Sequence, residues 1–256
     1  MRNNSSVLFE MGREEIIGSP SFNQISDLGV VQFKNDYDSD LLSLILRRAI
    51  ELKDQHAEAR QLDLKYIRRA HEFIPEILDL AYCPARLARL TAFAGTRVEP
   101  YPLSVIASII TFSGPAETDS TIKWHADGVP ATELVPLAME NLIGGELEIF
   151  RGPAEVGLAR QARGMEFLQD ETIRVQHKLG YSVLGQLMRL MHRVTPITSG
   201  YRITLNMNVR SAERPYIDDN SMCYLAADNP DFAWTDEYTK DVQERQLPAY
   251  LRHQAG

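Results

Sequence analysis

Apolar residues in the first part of the chain mostly follow a helical spacing. After an irregular segment (about 1–26) and a short strand at 29–35, they recur at positions 41, 42, 45, 46 and 49. This is the spacing of one helix face. Ser39 stands just before them and is the expected N-cap. The pattern therefore predicts a helix that begins near Ser39.

A second helical stretch spans residues 75–95 and contains residues that typically begin, interrupt or end a helix. Pro75 stands where a first helical turn accepts proline, Pro84 interrupts the pattern, and Gly95 closes it. We therefore expect two helical pieces that meet at Pro84.

After Gly95 the pattern changes to short runs of β-branched, aromatic and alternating residues, bounded by turn sequences such as SGP, RGP and TSG. Helices followed by many short strands predict an α+β protein with a sandwich or barrel core. No linker divides the chain, so we expect one domain over 1–256, with its core at about 100–210 and a C-terminal extension at 211–256. The predicted strands are 103–112, 120–126, 145–150, 171–177, 180–184, 187–194 and 201–209.

Composition narrows the class of partner. The formal net charge is −8 and no basic run occurs, which argues against nucleic acid and anionic membranes as partners. Two cysteines are too few for a disulfide framework. The N-terminus has no apolar run of signal length, and no apolar stretch approaches ~20 residues. We therefore expect a cytoplasmic protein.

The stretch STIKWHADG carries the first candidate chemistry. His125 and Asp127 are two positions apart at the end of a predicted strand, so they share one face if the strand continues. An imidazole and a carboxylate in this arrangement suit a divalent metal. Without a third ligand, a surface turn is the better explanation of the pair.

The chain has six histidines, so five remain as candidates for that ligand. His192 differs from the rest because it lies in the first of two predicted strands that are joined by a turn containing Pro and Gly. A satisfied core histidine is the alternative for it. The others are interpreted as a solvated helix residue (His56), a helix residue without a second histidine (His71), a strand end beside Lys178 (His177) and a tail residue (His253).

The last predicted strand has one polar face, formed by Arg202, Thr204, Asn206 and Asn208. If that face lines the interior, a buried arginine needs an anion to offset its desolvation. A carboxylate ligand could supply it by a bidentate contact. A solvent-facing strand is the alternative.

Three segments together resemble the signature of the Fe(II)- and 2-oxoglutarate-dependent dioxygenases: WHADG, GGELEIF and HRVTPITSGYRITL. His192 follows Asp127 by 65 positions (192 − 127), and Arg202 follows His192 by ten. The motifs cover about residues 103–210. The helical N-terminal third is similar, more loosely, to the phytanoyl-CoA-hydroxylase-like branch.

The resemblance implies a double-stranded β-helix (jelly-roll, cupin-like) core with the N-terminal helices packed on it. It implies that His125, Asp127 and His192 bind Fe(II), that Arg202 pairs with the distal carboxylate of 2-oxoglutarate, and that Thr204 lies beside it. The family consumes O2 and yields succinate and CO2 while oxidising its substrate.

Other residues near these motifs have two interpretations each. Lys123 shares strand parity with His125 and could reach a substrate carboxylate, or it is a solvated edge residue. Asn206 could bind substrate or 2-oxoglutarate, or satisfy a neighbouring strand. The segment 129–143 is either a lid over the site or a loop with its own short helix. The glycines of GGELEIF are interpreted as a tight turn only.

The leading functional hypothesis is an oxygenase that hydroxylates or otherwise oxidises an unactivated C–H bond of a small molecule, such as an amino acid or natural-product intermediate. The alternatives are an oxygenase that acts on a protein or peptide, and a metal-binding jelly roll without turnover. A scaffold has no need of the co-substrate arginine. The substrate's identity and the oligomeric state are left open.

Overall fold

A computed structural model describes residues 6–20, 24–59, 65–115 and 122–255. The predictions for residues 1–5 and for 120–121, at the start of the strand before His125, lie outside these ranges. Among the described helices, none is long and apolar enough to cross a membrane. The strands are β1 (Val7–Gly12), β2 (Leu28–Lys34), β3 (Glu58–Ala59), β4 (Lys65–Arg68), β5 (Val98–Pro100), β6 (Ser108–Ser113), β7 (Ile122–His125), β8 (Ala131–Ile143), β9 (Leu147–Phe150), β10 (Thr172–Val175), β11 (Tyr181–Gly185), β12 (His192–Val194) and β13 (Ser199–Ser211).

Helices occupy both ends of the chain and cover the sheets. A 3-10 turn (Gln169–Glu171) precedes β10, and a π-helical segment (Val242–Gln246) joins the last two helices. The α-helices are α1 (Arg13–Ile17), α2 (Ser39–His56), α3 (Ala70–Phe73), α4 (Glu76–Ala81), α5 (Pro84–Ala94), α6 (Ser104–Ala107), α7 (Ala154–Ala162), α8 (Met222–Asp228), α9 (Thr235–Asp241) and α10 (Leu247–Ala255).

Two antiparallel sheets face each other in a jelly roll. In the described chain, the larger has the strand order β1-β2-β11-β8-β13-β6-β4-β3, with β5 beside β13, and the smaller has the order β10-β9-β12-β7. Apolar side chains from both sheets fill one part of the space between them, including Val30 and Val183 from the larger and Ile149 and Ile173 from the smaller. The α+β jelly-roll prediction is confirmed.

The N-terminal helices pack on the outer face of the larger sheet. Ile45 of α2 and Ile77 of α4 are fully buried against Ile203 and Leu205 of β13. The apolar face of β13 is thus turned outward, toward the helices. Its polar face is turned toward the smaller sheet.

Local signals set the helix boundaries. Pro84 begins α5, and Gly95 ends it in a left-handed conformation, φ 69°, so both predictions there are confirmed. Asp38, rather than Ser39, is the N-cap of α2: its carboxylate accepts hydrogen bonds from the backbone N–H groups of Asp40 (2.8 Å) and Leu41 (3.2 Å).

Several predictions about the secondary structure are wrong. The supposedly irregular N-terminal segment contains β1 and α1, and residues 104–107 form a helical turn before β6. The strand predicted at 187–194 is confined to 192–194, because Arg189 has φ 59° and turns the chain. The segment 129–143 is neither a lid nor a loop with a helix: it contains β8, which lies between β11 and β13.

Candidate metal centre and co-substrate pocket

His125 and His192 face each other across the smaller sheet. β7 and β12 are antiparallel neighbours, and the two histidines are register partners. Their ring centroids are 4.3 Å apart. The sequence places them 67 positions apart (192 − 125), so their approach depends on the pairing of the two strands.

Hydrogen bonds fix which ring nitrogen of each histidine is available. Nδ1 of His125 lies 2.8 Å from the carbonyl oxygen of Lys123, and Nδ1 of His192 lies 2.8 Å from that of Leu190. A carbonyl can only accept, so each Nδ1 carries the proton. Each Nε2 then keeps its lone pair for a ligand, as metal-binding histidines require.

Asp127 completes the cluster from just beyond the end of β7. Its backbone N–H donates to the carbonyl of Leu187 (3.3 Å), and it forms a bridge with Met188. Oδ1 lies 3.4 Å from Nε2 of His125 and 3.7 Å from Nε2 of His192. The three ligand atoms lie within 4.8 Å of one another. The structure therefore brings together the residues that the sequence predicted.

A second layer of polar contacts orients Asp127. Oγ1 of Thr132 lies 3.5 Å from its Oδ2 and 2.7 Å from Oδ1 of Asn208; both atoms are acceptors, so the single hydroxyl proton is shared and its shorter contact is to Asn208. The turn behind Asp127 packs against the C-terminal extension, where the N–H of Asp219 donates to the carbonyl of Gly128 (3.1 Å). Both sheets and the extension thus support the carboxylate.

The protonation states of the cluster suit a cation. Burial, with a smaller contribution from His125, lowers the pKa of His192 to about 4. Burial raises the pKa of Asp127, but the two histidines and Thr132 outweigh it and leave the pKa below its usual value. Burial lowers the pKa of His125, but the hydrogen bond and charge of Asp127 outweigh it and raise that pKa. A neutral histidine and an ionised carboxylate are the forms that bind metals.

Arg202 lies on the interior face of β13 and is 3% exposed. Burial lowers its pKa to about 10, against the influence of Glu146, so it is charged at neutral pH. Among the described residues no carboxylate forms an ion pair with it, and its Nε has no hydrogen-bond partner. The alternative of a solvent-facing arginine is wrong.

Two glycines position the guanidinium. Nη1 of Arg202 donates to the carbonyl of Gly145. Gly144 and Gly145 both have left-handed backbones, with φ 87° and 74°. A Cβ on Gly144 would lie 1.9 Å from the carbonyl oxygen of Pro196. The sequence interpretation as a tight turn missed that this turn presents a carbonyl to Arg202.

Further polar atoms near Arg202 are buried without a partner. Within the described ranges, this holds for Oγ1 of Thr204, Oδ1 of Asn206 and both ring nitrogens of His177. The sequence interpretation had set His177 aside, and no sequence signal links it to Arg202. Buried polar groups are normally satisfied, so this group of atoms indicates a polar ligand site.

Lys123 lies on β7 two residues before His125, and its side chain is exposed. Its backbone carbonyl orients the His125 ring. The proposed contact of its ammonium group with a substrate stays a prediction.

The comparisons with known proteins concern the fold. No protein-family model and no curated protein sequence matches the chain. Solved structures do match. The non-heme alpha-ketoglutarate-dependent carbocyclase SnoK from nogalamycin biosynthesis has a TM-score of 0.54 at 18% identity, over 72% of this chain and 80% of SnoK.

Two further structures hold ligands. EctD from S. alaskensis, with 2-oxoglutarate and 5-hydroxyectoine, has a TM-score of 0.52 at 18% identity, over 82% of this chain and 86% of EctD. The epimerase SnoN, in complex with Fe3+, alpha-ketoglutarate and nogalamycin RO, has a TM-score of 0.54 at 14% identity, over 72% of this chain and 80% of SnoN. The chain therefore has the fold of the non-haem iron 2-oxoglutarate oxygenases. The narrower phytanoyl-CoA-hydroxylase-like assignment stays a prediction.

Proposed function

We propose that this protein is an Fe(II)- and 2-oxoglutarate-dependent oxygenase that oxidises an unactivated C–H bond of a small molecule, with succinate and CO2 as co-products. The observation that carries the proposal is the buried guanidinium of Arg202, which no carboxylate of the described residues contacts, in the same interior as the His125–Asp127–His192 cluster. A metal cluster alone fits many proteins. A metal cluster beside a buried cation that has a carboxylate nearby, Glu146, but none in ion-pair contact fits a co-substrate that chelates at one end and is anionic at the other.

His125, Asp127 and His192 would hold the iron. Two imidazoles and one carboxylate form the facial arrangement of non-haem Fe(II) oxygenases, which leaves open positions for co-substrate and O2. When bound, iron and 2-oxoglutarate supply the oxidising chemistry. The backbone carbonyls of Lys123 and Leu190 hold both Nδ1 atoms, so both Nε2 atoms would be available to the metal, and Thr132 contacts Asp127.

Arg202 would bind the far carboxylate of 2-oxoglutarate. Its hydrogen-bond acceptor Gly145 lies four residues from Ile149, which is the register partner of His192. Four residues span at most ~13 Å when fully extended. A five-carbon dicarboxylate that chelates the metal at one end could therefore reach the Arg202 side chain at the other. The buried hydroxyl of Thr204, which has no partner among the described residues, would donate to the same carboxylate.

A non-catalytic metal scaffold fits the interior less well. A buried charge without a partner is strongly destabilising, and a scaffold gains nothing from retaining one. The small-molecule class is supported by three structures with this fold: SnoK and SnoN from nogalamycin biosynthesis, and EctD in complex with 5-hydroxyectoine. Lys123 and Asn206 are the residues that we propose for substrate contacts.

The direct test is conversion of 2-oxoglutarate to succinate. We expect the wild-type protein with Fe(II), O2 and ascorbate to form succinate, with or without added substrate, and a panel of amino acids, natural-product intermediates and peptides to stimulate it. The His192→Ala variant should form none above the iron-only background. Equal succinate formation by the two proteins would contradict the proposal. Stimulation by peptides alone would reassign the substrate class.

A further inference from the structure

His177 is a buried histidine that has no role in the reaction proposed above. It follows β10, whose inward-facing residues Ile173 and Val175 pack between the sheets. Alternation along an extended chain places His177 on the same inward side, and it is 8% exposed. The ring therefore lies in the interior, not at the surface beside Lys178.

The strand register places His177 near the arginine pocket. β10 pairs with β9 antiparallel, and the last pair is Val175 with Leu147. His177 and Gly145 each lie two residues beyond this pair, at the same end of the two strands, and the Gly145 carbonyl accepts the hydrogen bond from Arg202. Burial, and then the positive charge of Arg202, lowers the pKa of His177 well below 6.5. The ring is therefore neutral and has one N–H donor.

Neither ring nitrogen of His177 has a hydrogen-bond partner in the described part of the chain. An unsatisfied buried donor is destabilising. Arg202 Nε and Thr204 Oγ1 share this condition. Arg202 projects from the larger sheet, whereas His177 follows a strand of the smaller sheet. All three groups lack an acceptor between the sheets. A carboxylate could serve them together, because it offers about four lone-pair sites.

We propose that His177 donates a hydrogen bond to the distal carboxylate of 2-oxoglutarate and clamps it from the side opposite Arg202. This inference rests on the proposed function, since it assigns a further residue to the same co-substrate. It makes His177 a determinant of selectivity for a 2-oxo acid with a second carboxylate. The residue has no part in metal binding.

The test compares two ligands that share the chelating end. 2-Oxobutyrate has the 2-oxo acid group but lacks the distal carboxylate. Each ligand is titrated anaerobically into the Fe(II) protein, and the metal-to-ligand charge-transfer absorption gives its Kd. For His177→Leu we expect the Kd for 2-oxoglutarate to rise on the order of 10- to 100-fold, as for loss of a hydrogen bond to a charged group. The Kd for 2-oxobutyrate should stay within about twofold of wild type.

Two other variants control for packing. His177→Gln keeps an N–H donor and should recover part of the 2-oxoglutarate affinity. His71→Leu removes a half-buried histidine that is bonded to Ser108, 2.7 Å away, and should leave both Kd values unchanged. Without ligand, His177→Leu should hold or raise the unfolding midpoint, because it removes unsatisfied polar atoms, whereas a purely structural histidine would lower it.

The outcomes separate the two proposals. An unchanged 2-oxoglutarate Kd in His177→Leu, or an equal rise for both ligands, overturns the role of His177 while leaving the oxygenase proposal intact. If His177→Leu does not fold, His177→Gln and His177→Asn replace it. The role of His177 is then overturned if the ratio of the two Kd values stays at its wild-type value in His177→Gln and if both ligands bind equally more weakly to His177→Asn. A wild-type protein that gives no charge-transfer band with 2-oxoglutarate overturns the proposed function itself.

Discussion

The carbonyl of Gly145 accepts a hydrogen bond from Nη1 of Arg202, so a turn before the smaller sheet holds a guanidinium that projects from the larger one. This contact leaves the Nε of the guanidinium without a partner in the described residues. The turn needs two successive left-handed residues, which glycine adopts without the penalty that other residues meet. The co-substrate pocket therefore depends on backbone conformation as well as on Arg202 itself.

Gly144→Ala tests that dependence. A Cβ at Gly144 would collide with the backbone carbonyl of Pro196, at 1.9 Å, in addition to the strain of φ 87°. We expect the free energy of unfolding to fall by more than the ~1–2 kcal/mol of the left-handed strain alone. Urea unfolding measures it.

The matched control is Gly164→Ala. Gly164 has φ 70°, and no heavy atom of the described chain lies within 4 Å of a Cβ built there. The free energy of unfolding of Gly164→Ala should fall by the cost of the left-handed strain alone, because no collision adds to it. Equal destabilisation of the two variants would mean that Pro196 moves aside and that the turn is not constrained.

The triad is tested one ligand at a time. His125→Ala, Asp127→Ala and His192→Ala should each abolish Fe(II)-dependent turnover while far-UV circular dichroism stays unchanged, because the core is supported by other residues. His71→Ala, which changes a histidine outside the cluster, should retain activity. Full activity of any triad variant under limiting iron would remove that residue from the metal site.

Thr132→Val tests the orientation of Asp127. The substitution keeps the side-chain shape but removes the hydroxyl that lies 3.5 Å from Oδ2 of Asp127 and 2.7 Å from Oδ1 of Asn208. The single hydroxyl proton lies between two acceptors and is nearer Asn208, so we expect Fe(II) affinity to fall by less than the roughly 10- to 100-fold typical of partners that donate fully to a metal ligand. Thr111→Val, in the same sheet but bonded to the Thr204 carbonyl, should leave iron affinity unchanged. Equal iron affinity in the two variants would show that Thr132 does not orient the ligand.

A pH-dependent contribution to stability should come from Asp218, in the loop that packs behind Asp127. Burial raises its pKa from 3.8 to about 6, although its hydrogen bond from Tyr101 opposes this. A pKa that is raised on folding favours the folded state at low pH, and that benefit is lost as the pH rises from about 4 to about 6.

Asp218→Asn removes this titration. Its free energy of unfolding relative to wild type should therefore increase between pH 4 and 6.5, by about 1–3 kcal/mol. Urea unfolding of both proteins at the two pH values measures the difference. A difference that does not vary with pH would mean that Asp218 titrates at its ordinary pKa in the folded protein.

Local chemistry explains which parts of the fold could be predicted. Short strands bounded by turn residues, the helix pair around Pro84 and the end at Gly95 depend on neighbouring residues, so the sequence reveals them. β8 was missed because Pro136 argues against a central strand. In the structure Pro136 is the partner of Thr204 at a register shift where β8 has an extra residue, Leu137, and this irregularity accommodates the proline.

The residues of the site also divide into those that the sequence predicts and those that it does not. His125, Asp127, His192 and Arg202 could be predicted because their spacing matches a family pattern. His177 could not, because its relation to Arg202 arises only when the strand before His177 pairs with β9. The role of Gly145 is also invisible in the sequence, since it depends on a carbonyl of the backbone rather than on a side chain.

The most direct test of the account is the affinity of Arg202 variants for 2-oxoglutarate, measured by the charge-transfer absorption of the anaerobic Fe(II) protein. Removing one partner of a buried ion pair costs ~3–5 kcal/mol, so Arg202→Ala should raise the Kd hundreds- to thousands-fold. Iron affinity should stay near wild type. Arg202→Lys should recover only part, because an ammonium group cannot form the planar two-point contact. An unchanged Kd in Arg202→Ala would contradict the account.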